Sequence, residues 1–148
     1  MTKTVQVRAA SGSARVVFTV QVALLVAYLI GSFGLLLSAM HRTGDYAAFF
    51  HPDVERLGDP KDSMNPIGPD ALSNPIVWTF ALSRMVAFFV QPLALASTAL
   101  GIAFLAASWR AGNGRAVRLV IVSTAAWLAV SAFAFTPYSA ELLRWLLD

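Results

Sequence analysis

The chain has 148 residues, of which 57% are hydrophobic and 13% are charged, and its mean hydropathy is +0.66. A soluble domain has about 45–50% apolar and about 25% charged residues, so lipid is the expected surroundings for much of this chain. It contains no cysteine, which excludes disulfides, thiolate metal sites and a cysteine nucleophile. The formal charge of +3 is not gathered into a basic patch with interleaved aromatics, so the sequence indicates no nucleic-acid partner.

The first apolar stretch covers residues 16–40 and follows a basic, polar N-terminal segment. It has about 25 residues, whereas the apolar region of a signal peptide has about 7–15. Its end, at residues 37–41, lacks a small-x-small cleavage pattern. Since about 20 apolar residues cross a bilayer, we predict an uncleaved first transmembrane helix.

The second apolar stretch, residues 75–109, is too long for one straight crossing and too short for two. We predict one helix whose N-terminal part projects outside the membrane, with Asn74 as the N-cap and Pro75 as the first helical residue. Arg84 would then lie at the level of the outer headgroups. Pro92 would kink the helix inside the membrane.

The third apolar stretch, residues 117–136, fits a single crossing and is followed by the tail, residues 139–148. Pro137 should disturb the end of the third helix, and Ser139 could cap a short new one. Its apolar face would hold Leu142, Trp145 and Leu146, which predicts a short amphipathic helix in the outer headgroup layer. The alternative is that the third helix continues, kinked, to the end.

The charges predict the orientation of the chain. Basic residues without acidic neighbours occur in the N-terminal segment and around the loop between the second and third spans: Lys3, Arg8, Arg15, Arg110, Arg115 and Arg118. Basic residues near span ends stay cytoplasmic. We therefore expect an all-α membrane protein with three spans, a cytoplasmic N-terminus, and an outer loop (residues 41–74) and C-terminus outside. The alanine-, valine- and arginine-rich composition is common in high-GC bacteria, which favours a bacterial inner membrane.

Small residues form one stripe along the first helix and recur in the second. At 3.6 residues per turn they share a face, and in lipid such faces let helices approach closely. The stripe either docks on a partner protein or holds the chain's own three helices together, and both can be true. The candidate docking residues are Ala23, Ala27, Gly31, Gly34 and Ser38, with Gly101 in the second helix.

The outer loop is the richest polar region. His51, Asp53 and Glu55 are weak metal candidates because their side chains can bind metal and lie close in sequence. No known ligand spacing is matched, and a solvated acidic loop is the plainer interpretation. The proline-rich residues 65–69 suit a segment lying across a neighbour. With Trp78, His51 and Asp53 are the expected outer-face contacts.

Function follows by elimination. No enzyme motif is present, no cofactor is indicated, and the polar residues expected within the membrane are uncharged. We therefore expect an accessory subunit of a larger membrane complex, respiratory or transport, that contacts the lipid bilayer and other membrane subunits. One alternative is a homo-oligomeric channel or carrier lined by Gln21, Gln91, Ser97 and Thr124. Another is a membrane enzyme with a metal site in the outer loop.

Overall fold

The computed structural model describes residues 2–63, 75–110 and 112–147, and regular structure within these ranges is helical throughout. The first half contains α1 (Thr2–Leu29), a π-helical turn (Ile30–Gly34), α2 (Leu35–Thr43), a 3₁₀ turn (Tyr46–Phe49), α3 (Val54–Leu57) and α4 (Pro60–Ser63). The second half contains α5 (Pro75–Phe88), α6 (Val90–Arg110), α7 (Gly114–Ala134) and α8 (Pro137–Leu147).

Three helical segments among the described residues are long and apolar enough to cross a membrane. They are Gly12–Thr43, with 32 residues, Val90–Arg110, with 21, and Val117–Ala134, with 18. Val77–Phe88, in α5, is also apolar but shorter. Since about 20 residues suffice for a crossing, the described residues confirm the predicted helical chain with three helices long and apolar enough to span a membrane.

The second apolar stretch differs from the single kinked helix that the sequence predicts. The helix is interrupted at Phe89, so that α5 and α6 are separate elements. Pro92 explains the position, because proline has no N–H to give to the carbonyl four residues earlier, that of Phe88, and its ring crowds that carbonyl. Pro75 begins α5 as predicted, whereas its predicted cap Asn74 lies outside the described residues.

The outer loop contains more regular structure than its prolines and glycines indicate. The helix of the first span continues to Thr43 and ends on Gly44, whose φ of 74° is left-handed and favours glycine. Asp45 then caps the 3₁₀ turn and Asp53 caps α3 through their side chains. The loop is therefore a series of short capped helices up to Ser63, and the predicted extended stretch at residues 65–69 lies outside the described residues.

The tail forms a separate helix, and the alternative of a continuing third helix is wrong. The α7 helix ends at Ala134, and α8 begins at Pro137. The predicted cap Ser139 is also wrong, since the Ser139 amide donates to the Thr136 hydroxyl at 3.2 Å. Thr136 is the cap because Pro137 occupies the first helical position, where its missing N–H costs nothing.

The chain divides into two compact units. The first comprises the chain up to Leu25 with Gln91–Phe133, and the second comprises Val26–Val90 with the chain from Ala134 onward. In the first unit, Ala14 and Val120 are fully buried and Phe104 and Leu105 pack against them. In the second, the π-helical turn packs on α5, α2 packs on α3 and α4, and α8 packs on α5.

Candidate functional site

The polar chemistry of the second unit is concentrated in the 3₁₀ turn, α3, α4 and α8. The Arg56 guanidinium donates two hydrogen bonds of 2.8 Å to the Asp45 carboxylate, one to each oxygen. Asp45 Oδ1 also accepts the Ala48 amide at 3.2 Å. A bidentate arginine–carboxylate pair fixes direction as well as distance, so it ties α3 to the start of the 3₁₀ turn.

Two side chains from distant parts of the sequence donate to the C-terminal end of α3. Arg42 Nη2 donates to the Leu57 carbonyl at 2.8 Å, and Trp145 Nε1 donates to the Gly58 carbonyl at 3.1 Å. Helix-end carbonyls have no partner within the helix, so these donors satisfy them. Gly58 has a φ of 71°, which a residue with a side chain rarely adopts. This turn therefore joins α2 and α8 to the loop.

A third tie joins α8 to the 3₁₀ turn. The Tyr138 hydroxyl donates to the Phe49 carbonyl at 2.8 Å, and the two rings lie 6.2 Å apart. Burial raises the pKa of Tyr138, and the nearby Glu141 carboxylate raises it further. The hydroxyl consequently keeps its proton and remains a donor at any physiological pH.

The C-terminal end of α8 is held by Arg84. Its Nη2 donates to the Leu146 carbonyl, and its guanidinium carbon lies 5.3 Å from the centre of the Phe88 ring. A cation at a helix C-terminus is favourable, since the exposed carbonyls carry partial negative charge. Arg84, predicted only as a headgroup-level residue, thus also holds α8 in place.

Between the loop and α8 lies an open groove of about 320 Å³. Its lining residues come from both segments: His51, Pro52, Asp53, Val54, Glu141, Arg144 and Trp145. His51 Nδ1 lies 3.6 Å from Glu141 Oε2 across the opening. Trp145 is 1% exposed and forms part of the groove wall. We take this groove as the candidate site.

The weak metal candidates do not converge. Asp53 Oδ1 accepts the Glu55 amide at 3.3 Å and so acts as a helix cap, and Glu55 is not among the residues lining the groove. Within the described ranges, no group of three or more His, Asp or Glu side chains could hold a metal ion. His51 instead faces Glu141, a partner far along the chain that no local pattern indicates.

The apolar face of the tail helix is covered from within the second unit. Leu142, Trp145 and Leu146 are each at most 2% exposed, and α8 packs on α5 and on the π-helical turn. The sequence pattern found the right face. What it could not find is the surface against which that face packs, because the covering residues come from elsewhere in the chain.

The small-residue stripe has several different surroundings. A Cβ on Gly31 would overlap the Ser83 carbonyl of α5, and one on Gly101 would overlap the Thr124 side chain of α7. Ser38 donates to the Ser63 carbonyl at 3.1 Å. Of the others, Gly34 has only its own helix nearby, Ala27 is half-buried, and Ala23 is exposed. Gly31 and Gly101 therefore serve contacts within the chain.

All four predicted pore-lining residues belong to the first unit, and three of them, Gln21, Ser97 and Thr124, are buried. Gln21 Nε2 donates to the Ser97 carbonyl at 2.7 Å, and Thr124 lies against Gly101. The fully buried Trp127, which the sequence did not single out, donates from Nε1 to the Gln21 carbonyl at 3.0 Å. Gln91, by contrast, is exposed.

The predicted outer-face residue Trp78 is 52% exposed on α5. Comparisons of the chain with protein-family models, with curated proteins and with solved structures find no match. The functional argument therefore depends on the residues and contacts described above.

Proposed function

We propose that this chain is an accessory subunit of a larger membrane protein complex in a bacterial inner membrane. In this proposal the N-terminus is cytoplasmic, and the outer loop and α8 lie outside, as the distribution of basic residues near the span ends favours. The chain would contribute helix surface within the membrane and a folded docking surface outside it.

The observation that carries the proposal is a pair of exposed aromatic side chains on a well-anchored segment. Tyr46 is 61% exposed and Phe50 is 69% exposed, at the two ends of the 3₁₀ turn. Aromatic residues are enriched in protein interfaces. A rigid segment loses little conformational entropy when it docks, and this segment is held by Asp45–Arg56 and by Tyr138.

A second feature supports docking within the membrane. Three alanines on α7 are exposed and share one face at helical spacing: Ala125, Ala129 and Ala132. Because two small-residue contacts, at Gly31 and Gly101, are already used within the chain, this face is the better candidate for another subunit.

The channel alternative has weaker support. Gln21 donates its amide to a backbone carbonyl within the first unit, and the Thr124 side chain faces Gly101. Both residues are less than 10% exposed. Side chains in these positions fill the space between helices, whereas pore-lining groups must face water.

The proposal can be tested by expressing the tagged chain at its native level and solubilising its membranes in a mild detergent. We expect it to migrate with a complex of defined composition, much larger than a few copies of the chain. The double variant Tyr46→Ser/Phe50→Ser should be released from that complex while still sedimenting with membranes. The matched control, Glu55→Ser/Lys61→Ser, changes two exposed side chains of the same loop and should stay bound. A wild-type chain recovered only as a monomer or a homo-oligomer would refute the proposal.

A further inference from the structure

The groove between the loop and α8 carries a charge pattern that the subunit proposal does not use. Four of its lining side chains are charged or can become so: Asp53 and Glu141 are acidic, Arg144 is basic, and His51 is basic when protonated. The described residues offer Arg144 no ion pair within 4.0 Å. Its guanidinium therefore remains available to a ligand.

The mixture of signs selects the kind of ligand. A purely anionic molecule would meet the Asp53 and Glu141 carboxylates, and a purely cationic one would meet Arg144. A zwitterion avoids both conflicts when its ammonium lies towards the carboxylates and its anionic group towards the guanidinium. Arginine binds phosphate through paired N–H donors, so an ammonium joined to a phosphate suits the groove well.

The groove lies close in sequence to two span ends. The loop wall follows the span that ends at Thr43, and α8 follows the span that ends at Ala134. Glu141 is in the second turn of α8, about 6 Å along the axis from Pro137. The polar layer of a bilayer extends several ångströms beyond its hydrocarbon on each side (about 40–45 Å in all, against about 30 Å). If the hydrocarbon ends near Thr43 and Ala134, the groove lies at the depth of lipid headgroups.

The walls of the groove suit a partly apolar ligand. Pro52, Val54 and the Trp145 ring lie among the charged groups. Trp145 is fixed by its hydrogen bond to Gly58, and Asp53 by its capping bond to the Glu55 amide. The exposed Phe50 ring precedes His51 directly in sequence. A ligand would therefore enter a groove whose walls are already in place, which lowers the cost of binding.

We propose that this groove binds a zwitterionic aminophosphate group, and that its source is the headgroup of a phosphatidylethanolamine lipid. Glu141 and Asp53 receive the ammonium, and Arg144 donates to the phosphate. This site is independent of the subunit role, since it needs only the chain and its membrane.

The test uses the purified full chain and native mass spectrometry to count retained lipids. The probes are phosphatidylethanolamine, and phosphatidylglycerol, which shares the phosphate but lacks the ammonium. We expect phosphatidylethanolamine to be retained about tenfold more strongly, the scale of one charge-assisted hydrogen bond. Glu141→Gln should remove that preference, and Arg144→Gln should weaken retention of both lipids. The controls Glu55→Gln and Lys61→Gln each remove one charge, negative or positive, from a residue outside the groove lining. Both should behave as wild type.

Soluble phosphoethanolamine identifies the source of the group. If it displaces the lipid only at a large molar excess, the lipid headgroup is the ligand. If it binds as tightly as the lipid, the aminophosphate site stands and the lipid source is wrong. Equal retention of the two lipids by the wild type would overturn the site itself. So would a Glu141→Gln variant that keeps the preference. An unfolding midpoint measured for each variant by tryptophan fluorescence separates lost binding from lost folding.

Discussion

The two units of the chain use different polar chemistry. In the first, side-chain hydrogen bonds join neutral groups, such as Gln21 to the Ser97 carbonyl and Thr98 to Ser131. In the second, three arginines satisfy backbone carbonyls or a carboxylate: Arg42, Arg56 and Arg84. A charge within the hydrocarbon of a membrane is costly, so neutral hydrogen bonds suit the first unit, which contains two of the three candidate spans in the described residues.

The two units also differ in what lies against their closely packed glycines. The glycine of the second unit gives the largest expected loss of stability. Gly31 lies against the backbone of α5, at the Ser83 carbonyl. A Gly31→Ala variant must therefore displace one of the two helices. We expect this overpacking to lower the free energy of unfolding by about 2–3 kcal/mol or more. We expect a clearly lowered unfolding midpoint in detergent, followed by tryptophan fluorescence. Gly34→Ala, in the same π-helical turn but 3.8 Å from the nearest atoms, should be tolerated.

The corresponding contact in the first unit is against a side chain and can be relieved. A Cβ at Gly101 would overlap the Thr124 hydroxyl and lie 3.0 Å from its Cβ and Cγ2. We expect Gly101→Ala to cost about 1–3 kcal/mol, and Thr124→Ala in the same chain to recover much of it. The Thr124 hydroxyl is buried without a hydrogen-bond partner among the described residues, so its loss alone should cost little. A double-mutant cycle of unfolding free energies measures the coupling; additive effects would mean that the two helices do not meet here.

Each neutral hydrogen bond of the first unit should make a moderate contribution to the free energy of unfolding. Trp127→Phe removes the donor to the Gln21 carbonyl and leaves a small space in a fully buried position. We expect about 1–2 kcal/mol of destabilisation, measured by the same unfolding assay. Trp109→Phe is the control, because Trp109 is 72% exposed. Equal effects of the two substitutions would contradict the buried network.

The smallest expected effect is a pH dependence in the second unit. Burial, and then Glu141, raise the pKa of Tyr138 above its usual value of about 10 in the folded chain. Between the unfolded and the folded pKa, the folded state binds more protons, so its stability falls as the pH rises above about 10. Below that range the contribution is fully present. Tyr138→Phe should lose about 0.5–1.5 kcal/mol at neutral pH and show a flatter alkaline decline than wild type.

The sequence predicts well what depends on local composition. Apolar length found three helices able to span a membrane, Pro75 marked the start of α5, and the period of Leu142, Trp145 and Leu146 found the buried face of α8. Proline also explains the break at Phe89, although the sequence suggested only a kink. Its effect falls on the carbonyl four residues earlier, and neighbouring packing decides whether the helix bends or stops.

The contacts that build the site could not be read from the sequence. His51 and Glu141, Trp145 and Gly58, and Arg84 and Leu146 are pairs brought together only by packing. The sequence drew attention to His51, Asp53 and Glu55 because they are close along the chain. The opposite wall of the groove comes from α8, which the sequence predicted only as an amphipathic helix of the outer headgroup layer.

The account depends most on the three proposed crossings, which would place residues 61 and 144 on one side of the membrane and residue 113 on the other. Because the chain has no cysteine, the single variants Lys61→Cys, Asn113→Cys and Arg144→Cys can be labelled with a membrane-impermeant maleimide in intact cells. We predict labelling at positions 61 and 144 without permeabilisation, and at position 113 only after it. If positions 61 and 113 label together in intact cells, α5 and α6 do not provide the single crossing, and the three-span account fails.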